Sequence, residues 1–184
     1  MDREEALDSV KANVENENLV KHMIATEAVM RALARRLGGN EEEWGLTGLL
    51  HDIDVELTDG DMSNHSRLGS DLVREMGGSE EMAHAVLSHN QAHGVLPETN
   101  LDKALICADP LTGLLTAAAL VRPDKKLTGV QVSSVKKRFK EKSFAAGANR
   151  DQIAACSTML DIELDDFIEI GLKAMQEVAG ELGL

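Results

Sequence analysis

The chain has 184 residues, 43% apolar and 28% charged, enough for one soluble domain with a sizeable core. A net charge of −13 argues against a general nucleic-acid binder, and two cysteines, Cys107 and Cys156, do not make a disulfide framework. Aromatic residues are only 2%, with no tyrosine, so the core rests on Leu, Ala, Val, Ile and Met, which suits packed helices better than a sheet.

The start, MDREEALDSV, is acidic and lacks the apolar run of a signal peptide. Asp2 is placed to cap a first helix through about Ala12. The segment Leu19–Leu37 carries Leu19, Met23, Val29, Met30, Leu33 and Leu37 along one broad stripe and ends at Gly38-Gly39. Asn40 caps the next helix, with Glu41, Glu42 and Glu43 in its positive first turn, and that helix runs through Trp44 and Leu50 to His51-Asp52. Ser63 or Asn64 opens a fourth helix ending at Gly77-Gly78, and Ser79 a fifth ending near Asn90. Asn100 starts a long sixth, in which Pro110 predicts a local kink that aims Asp109 inward. Further helices are predicted over Ser133–Lys142, Asn149–Met159 and Leu164–Leu182. No alternating strand pattern, repeat or linker interrupts the series, and no segment approaches the ~20 apolar residues of a membrane span. The expectation is one all-α domain over residues 1–184, a compact helical bundle, cytoplasmic and away from membranes.

Six histidines punctuate these helices: His22, His51, His65, His84, His89 and His93. A single histidine on a helix is an ordinary core or surface residue. Asp109 is different: a carboxylate among Ile106, Ala108, Leu111 and Leu114 is costly to bury unpaired and calls for a cation or strong hydrogen bonds. Neutral imidazoles are natural partners of a divalent ion at such a place.

The order His22, His51-Asp52, His65, His89, Asp109, with the pair closing the apolar run LLHDI, resembles the HD superfamily of metal-dependent phosphohydrolases. The signature spans residues 22–109. The resemblance implies an HD-type bundle and a metal site. The minimal pattern of His, His-Asp and Asp implies one ion. The added pair His65 and His89 resembles the branches that hold two. In that scheme His22, His51 and Asp109 take one ion, His65 and His89 the other, and Asp52 bridges them. A hydroxide between the ions is then the nucleophile. Iron, manganese, nickel, cobalt and zinc all suit the ligand set. The implied activity is cleavage of a small phosphoester, a nucleotide being one possibility. Some members of the superfamily instead hold two irons and activate oxygen, and others are regulatory modules that tend to lack the ligands. Asn90 stands where the cyclic-dinucleotide branch carries a second histidine, and that branch's Gly-Tyr-Pro motif has no counterpart here.

Around the signature, Asp52 and Asp54 are the candidate catalytic acids, Asp54 either orienting a ligand or moving a proton. Glu56, Asp59 and Asp61 read as a solvated loop, and His84 and His93 as surface or supporting residues. Between Arg122 and Lys142, eight basic side chains are opposed only by Asp124 and Glu141. This segment is a candidate collector of an anionic substrate, with Lys137, Arg138 and Lys142 as phosphate contacts and Phe139 and Phe144 able to stack on a base. Its bland alternative is a solvated amphipathic helix anchored by the two phenylalanines.

Overall fold

The computed structural model describes residues 1–184 and is all-α, with no strand. The helices are α1 (Arg3–Asn13), α2 (Glu17–Leu37), α3 (Glu41–Leu50), α4 (Arg67–Glu75), α5 (Glu80–His89), α6 (Asn100–Leu120), α7 (Val132–Lys140), α8 (Arg150–Ala154), α9 (Cys156–Met159), α10 (Leu164–Glu177) and α11 (Ala179–Leu182). Single 3₁₀ turns lie at Gln91–His93 and Leu127–Gly129. The predicted caps hold for three helices. Asp2 and Glu5 form a reciprocal capping box at α1, Asn40 accepts from the amides of Glu42 and Glu43, and Ser79 accepts from the amide of Met82. Gly38 ends α2 in the left-handed region, at φ 76°.

Helices α2 and α6 are the centre of the fold. Helix α2 packs on α3, α6 and α10, and α6 also meets α5, α7, α8 and α9. The core they enclose is aliphatic, with Met23, Met30, Leu33, Leu105, Leu111, Leu114 and Leu115 among its fully buried side chains and Phe167 as its one fully buried phenylalanine. Helix α6 corrects the expectation about apolar length: it is long and apolar enough to cross a membrane, with a mean hydropathy of 1.3. Two-thirds of that window (67%) is buried inside the fold, as befits a core helix. It also runs through Pro110 as one helical element.

Glycine permits a close approach of α3 to α2. Gly45 and Gly48 lie one turn apart on α3 and face α2. A Cβ on Gly48 would come within 2.9 Å of the Thr26 carbonyl, and one on Gly45 within 2.5 Å of the Arg31 guanidinium. Beside this seam, Glu27 is buried at 2% exposure and shared by Arg3 at 2.8 Å and Arg31 at 3.0 Å. Removal of one partner from such a pair exposes the other's desolvation cost, which holds α1 to α2.

Four boundaries differ from the sequence reading. Helix α4 begins after Ser66, and neither Ser63 nor Asn64 caps it, because both bond to Asp61 instead. Thr99, paired with Asp102 in a capping box, caps α6. The predicted helix 149–159 is interrupted at Ala155. The last helix is interrupted at Val178, where the backbone leaves the helical region (φ −107°, ψ 14°).

Gly48→Ala is expected to lower stability by about 1–3 kcal/mol through overpacking of the α2–α3 seam. Gly113→Ala on α6, where a Cβ meets nothing within 4 Å, should raise it by up to about 1 kcal/mol. Urea denaturation midpoints of the two variants check both signs. An unchanged Gly48→Ala midpoint would show that the seam gives way.

Candidate metal centre

Five elements meet at one end of α3. Helix α2 brings His22, the end of α3 brings His51 and Asp52, the turn before α4 brings His65, the end of α5 brings His89 and the middle of α6 brings Asp109. The rings pack edge to face in a row, with centroids 5.1 Å apart for His22–His51, 5.3 Å for His51–His89 and 5.4 Å for His65–His89. All six candidate ligands therefore converge.

The two oxygens of Asp52 face different histidines. Oδ1 lies 3.3 Å from His89 Nε2 and 3.4 Å from His65 Nε2. Oδ2 lies 3.3 Å from His51 Nε2 and 3.8 Å from His22 Nε2. Asp109 Oδ1 is 3.0 Å from His22 Nε2 and 3.8 Å from His51 Nε2. Ligand atoms of His22, His51 and Asp109 lie within 4.8 Å of one another, as do those of His51, Asp52 and His89.

Each ring is oriented through its other nitrogen. His51 Nδ1 donates to the Gly48 carbonyl at 2.8 Å and His89 Nδ1 to the Val86 carbonyl at 2.6 Å. His65 Nδ1 donates to Asp54 Oδ1 at 2.8 Å. The Thr112 hydroxyl donates to the Asp109 carbonyl at 2.8 Å, so its oxygen is left to accept from His22 Nδ1 at 3.0 Å. With the proton on Nδ1, all four Nε2 atoms can turn a lone pair to the centre, as metal ligation requires. His51 Nε2 is fully buried and has no hydrogen-bond partner. An orphaned imidazole nitrogen among three others and two carboxylates fits a divalent cation.

Charge coupling is strong. Burial opposes protonation of His51, but Asp52 and Asp109 beside it outweigh burial and push its pKa up to about 9. Burial alone would raise the Asp52 carboxyl, yet His51 and His89 hold it well below the usual carboxylate range. Asp109 is likewise lowered, against its burial, by His22. His65 is raised, its burial overcome by Asp54 and Asp52.

Asp54 lies outside the centre. It is fully buried, and besides His65 it accepts from the amides of Ser66 and Gly69, each at 2.7 Å. It thus orients His65 and caps α4 from twelve residues upstream, a setting that suits a positioning acid better than a proton carrier. Ser66 sits in the left-handed region at φ 73°, a strained conformation held by this carboxylate. Gly69 is glycine for the same reason: a Cβ there would come within 3.2 Å of the Asp54 carboxyl.

The supporting residues are those that sequence reasoning missed or left open. Thr112 lies 90 residues from His22, and only the fold joins them. Asn90 Nδ2 donates to the carbonyls of Met62 and His65, and His93 Nε2 to the His65 carbonyl at 2.6 Å, with Arg67 bonding its Nδ1. His84 pairs with Asp102 away from the cluster. Glu56 binds the amides of Glu15 and Asn16, joining the loop to the end of α1.

Two grooves reach the carboxylates of the cluster, and a third, about 460 Å³, touches it at His22 alone. One, about 330 Å³, lies between His22, Asp109 and the loop Ala145–Ala148. The other, about 420 Å³, is bounded by Asp52, His65, His89, Gln91 and Gln152. Lys137, Arg138 and Lys142 line neither. Lys137 is exposed, Arg138 pairs with Glu141 and lies 4.8 Å over the Phe144 ring, and Lys142 lines a neighbouring cavity with Phe139. Both phenylalanines carry a guanidinium near their ring faces, Arg150 at 6.0 Å in the case of Phe139, and both pack against the core.

A family model described as HD domain matches residues 19–113. Among curated proteins, the chain is similar to ribonuclease Y of Oleidesulfovibrio alaskensis, 29% identical over 98 residues, which are 53% of this chain and 18% of that protein. Ribonuclease Y of Pseudothermotoga lettingae is 27% identical over 169 residues, 88% of this chain and 33% of that protein. The chain spans a third or less of the length of these relatives. No solved structure matches it.

Asp54→Asn replaces an acceptor to His65 by an amide of equal size. Metal affinity is expected to fall about 10–100-fold, the usual cost of losing a ligand's orienting partner. Chelator competition measures this, with exposed Asp59→Asn as the control. Unchanged affinity together with lower stability would limit Asp54 to capping α4.

Proposed function

The chain belongs to the HD-domain family of metal-dependent phosphohydrolases, and we propose that it cleaves a small phosphoester at a two-ion centre formed by His22, His51, Asp52, His65, His89 and Asp109. The observation that carries the two-ion reading is Asp52: one oxygen faces His51 and His22, the other His65 and His89. In this reading His22, His51 and Asp109 would hold one ion and His65 and His89 the second, with Asp52 placed to serve either. Bound divalent ions supply charge stabilisation for a phosphoryl group and bring the pKa of a water toward neutrality.

The chain's own residues do the rest. Asp54 keeps His65 aimed through Nδ1, Thr112 does the same for His22, and the backbone carbonyls of Gly48 and Val86 fix His51 and His89. Gln152 and Gln91, at the edge of the larger groove, are neutral donors for substrate oxygens. Groove volumes of about 330 and 420 Å³ suit a small molecule, and a net charge of −13 opposes a long polyanion. A nucleotide is one such substrate.

A second reading is cleavage of a short RNA, favoured by the similarity to proteins named ribonuclease Y. The same ligand set also suits iron and hence oxygen chemistry.

Elemental analysis should find about two ions per chain, falling in His65→Ala and His89→Ala. Loaded protein should release phosphate from at least one member of a panel of nucleotides and sugar phosphates. Asp52→Asn should slow that reaction about 10³-fold, equivalent to about 4 kcal/mol of barrier. A short oligoribonucleotide in the panel separates the second reading, and oxygen uptake by iron-loaded protein separates the third. No hydrolysis of any panel member by protein carrying its full metal complement would overturn the proposal.

A further inference from the structure

The smaller groove is walled opposite His22 and Asp109 by Ala145, Ala146, Gly147 and Ala148. Arg150 shapes this wall. Its Nη1 donates to the carbonyls of Ala145 at 2.8 Å and Ala148 at 2.7 Å, its Nη2 to the Phe144 carbonyl, and its Nε to the Phe139 carbonyl at 3.3 Å. Arg150 makes no ion pair with a carboxylate, so a half-buried cation is held by backbone oxygens of the end of α7 and the loop that follows it. Only a planar fork of donors reaches so many carbonyls at once.

The loop is a thin partition. Arg150 lines the cavity on one side, together with Phe139 and Lys142, while His22 and Asp109 lie on the other. Ala146 and Ala148 line both. A trans peptide unit points its N–H opposite to its C=O. The units joining Phe144 to Ala145 and Ala145 to Ala146 have their carbonyls on the guanidinium. The amides of Ala145 and Ala146 therefore point away from Arg150, and both residues line the groove beside the metal centre. Neither amide donates to another backbone group, and no side chain accepts from either. Ala145 is in the left-handed region at φ 44°, the kind of reversal that turns successive amides into an anion-binding concavity. A cation behind the carbonyls polarises the same peptide units and leaves their N–H ends more positive. The side chains of this loop segment are no larger than methyl, and the only titratable side chains lining this groove are those of His22 and Asp109.

We infer that the amides of Ala145 and Ala146 form a seat for a phosphoryl oxygen beside the metal centre, and that Arg150 is the positioning residue that builds it. The identity of the ligand rests on the phosphohydrolase reading; the seat itself rests on the loop, the groove and the guanidinium.

The test is a titration of zinc-loaded, ¹⁵N-labelled protein with inorganic phosphate, zinc being a diamagnetic ion that suits the ligands. The amide protons of Ala145 and Ala146 should move downfield as phosphate binds. In Arg150→Gln that response should vanish and phosphate affinity fall about tenfold, as for loss of a hydrogen bond to a charged group, with zinc content retained. Arg150→Lys should behave like Arg150→Gln, because an ammonium cannot replace the fork. Unmoved Ala145 and Ala146 resonances at saturating phosphate would overturn the inference, and the wild-type spectrum decides this even where a variant is unstable. Shifted amides in a protein that hydrolyses no phosphoester would remove the proposed function and leave the seat standing. Hydrolysis with unmoved amides would do the reverse.

Discussion

The hydrogen bond at Nδ1 of each clustered histidine is the interaction on which the site depends. Four imidazoles in contact would otherwise spread their protons and orientations over many arrangements. A backbone carbonyl, a carboxylate or a hydroxyl claims Nδ1 in every case, and the four anchors come from different places in the chain. What remains at the centre is a set of Nε2 atoms and the oxygens of Asp52 and Asp109. The anchors lie outside the centre, yet they turn a crowd of titratable groups into a candidate ligand set. Two of them are carbonyls three residues upstream on the ring's own helix, so the last turns of α3 and α5 orient His51 and His89 without help from elsewhere.

The other requirement is that α2 and α3 lie close enough for His22 and His51 to share acceptors. Gly45 and Gly48 make that approach possible, and the buried Glu27 with its two arginines keeps α1 and α2 together beside the same seam. The glycines and the histidines thus belong to one design: the first set the spacing of the helices, and the second use it. The aliphatic core around α6 supports the arrangement by leaving Asp109 as a carboxylate with polar company on one side only.

Much of this was legible in the sequence. The helical periods, the caps at Asp2, Asn40 and Ser79 and the positions of the six side chains that converge all depend on residues near one another in the chain, or on a signature whose spacing survives folding. The parts that were not legible depend on tertiary partners. Helix α4 starts at Ser66 because a carboxylate far upstream reaches its amides, while the local candidates, Ser63 and Asn64, are taken by Asp61. Thr112 looks like an ordinary helix threonine until His22 is placed against it. The basic segment drew attention by its charge, but several of its members turn outward or pair with Asp165, Glu141 and Asp124. The cation with the most structural consequence is Arg150, which stands outside that segment and looks unremarkable in sequence because its partners are carbonyls, which no residue type advertises.

Asp54 joins two things that are usually independent, the aim of a ligand and the start of a helix. Its carboxylate holds His65, the strained Ser66 and the first turn of α4 at once. The turn between Asp52 and His65 therefore cannot loosen without releasing α4, and α4 cannot fray from its N-terminus without freeing His65. Residues 52–69 are thereby tied into one unit of local opening, so that the protection of the α4 amides against hydrogen exchange and the placement of two of the six candidate ligands, Asp52 and His65, are expected to rise and fall together.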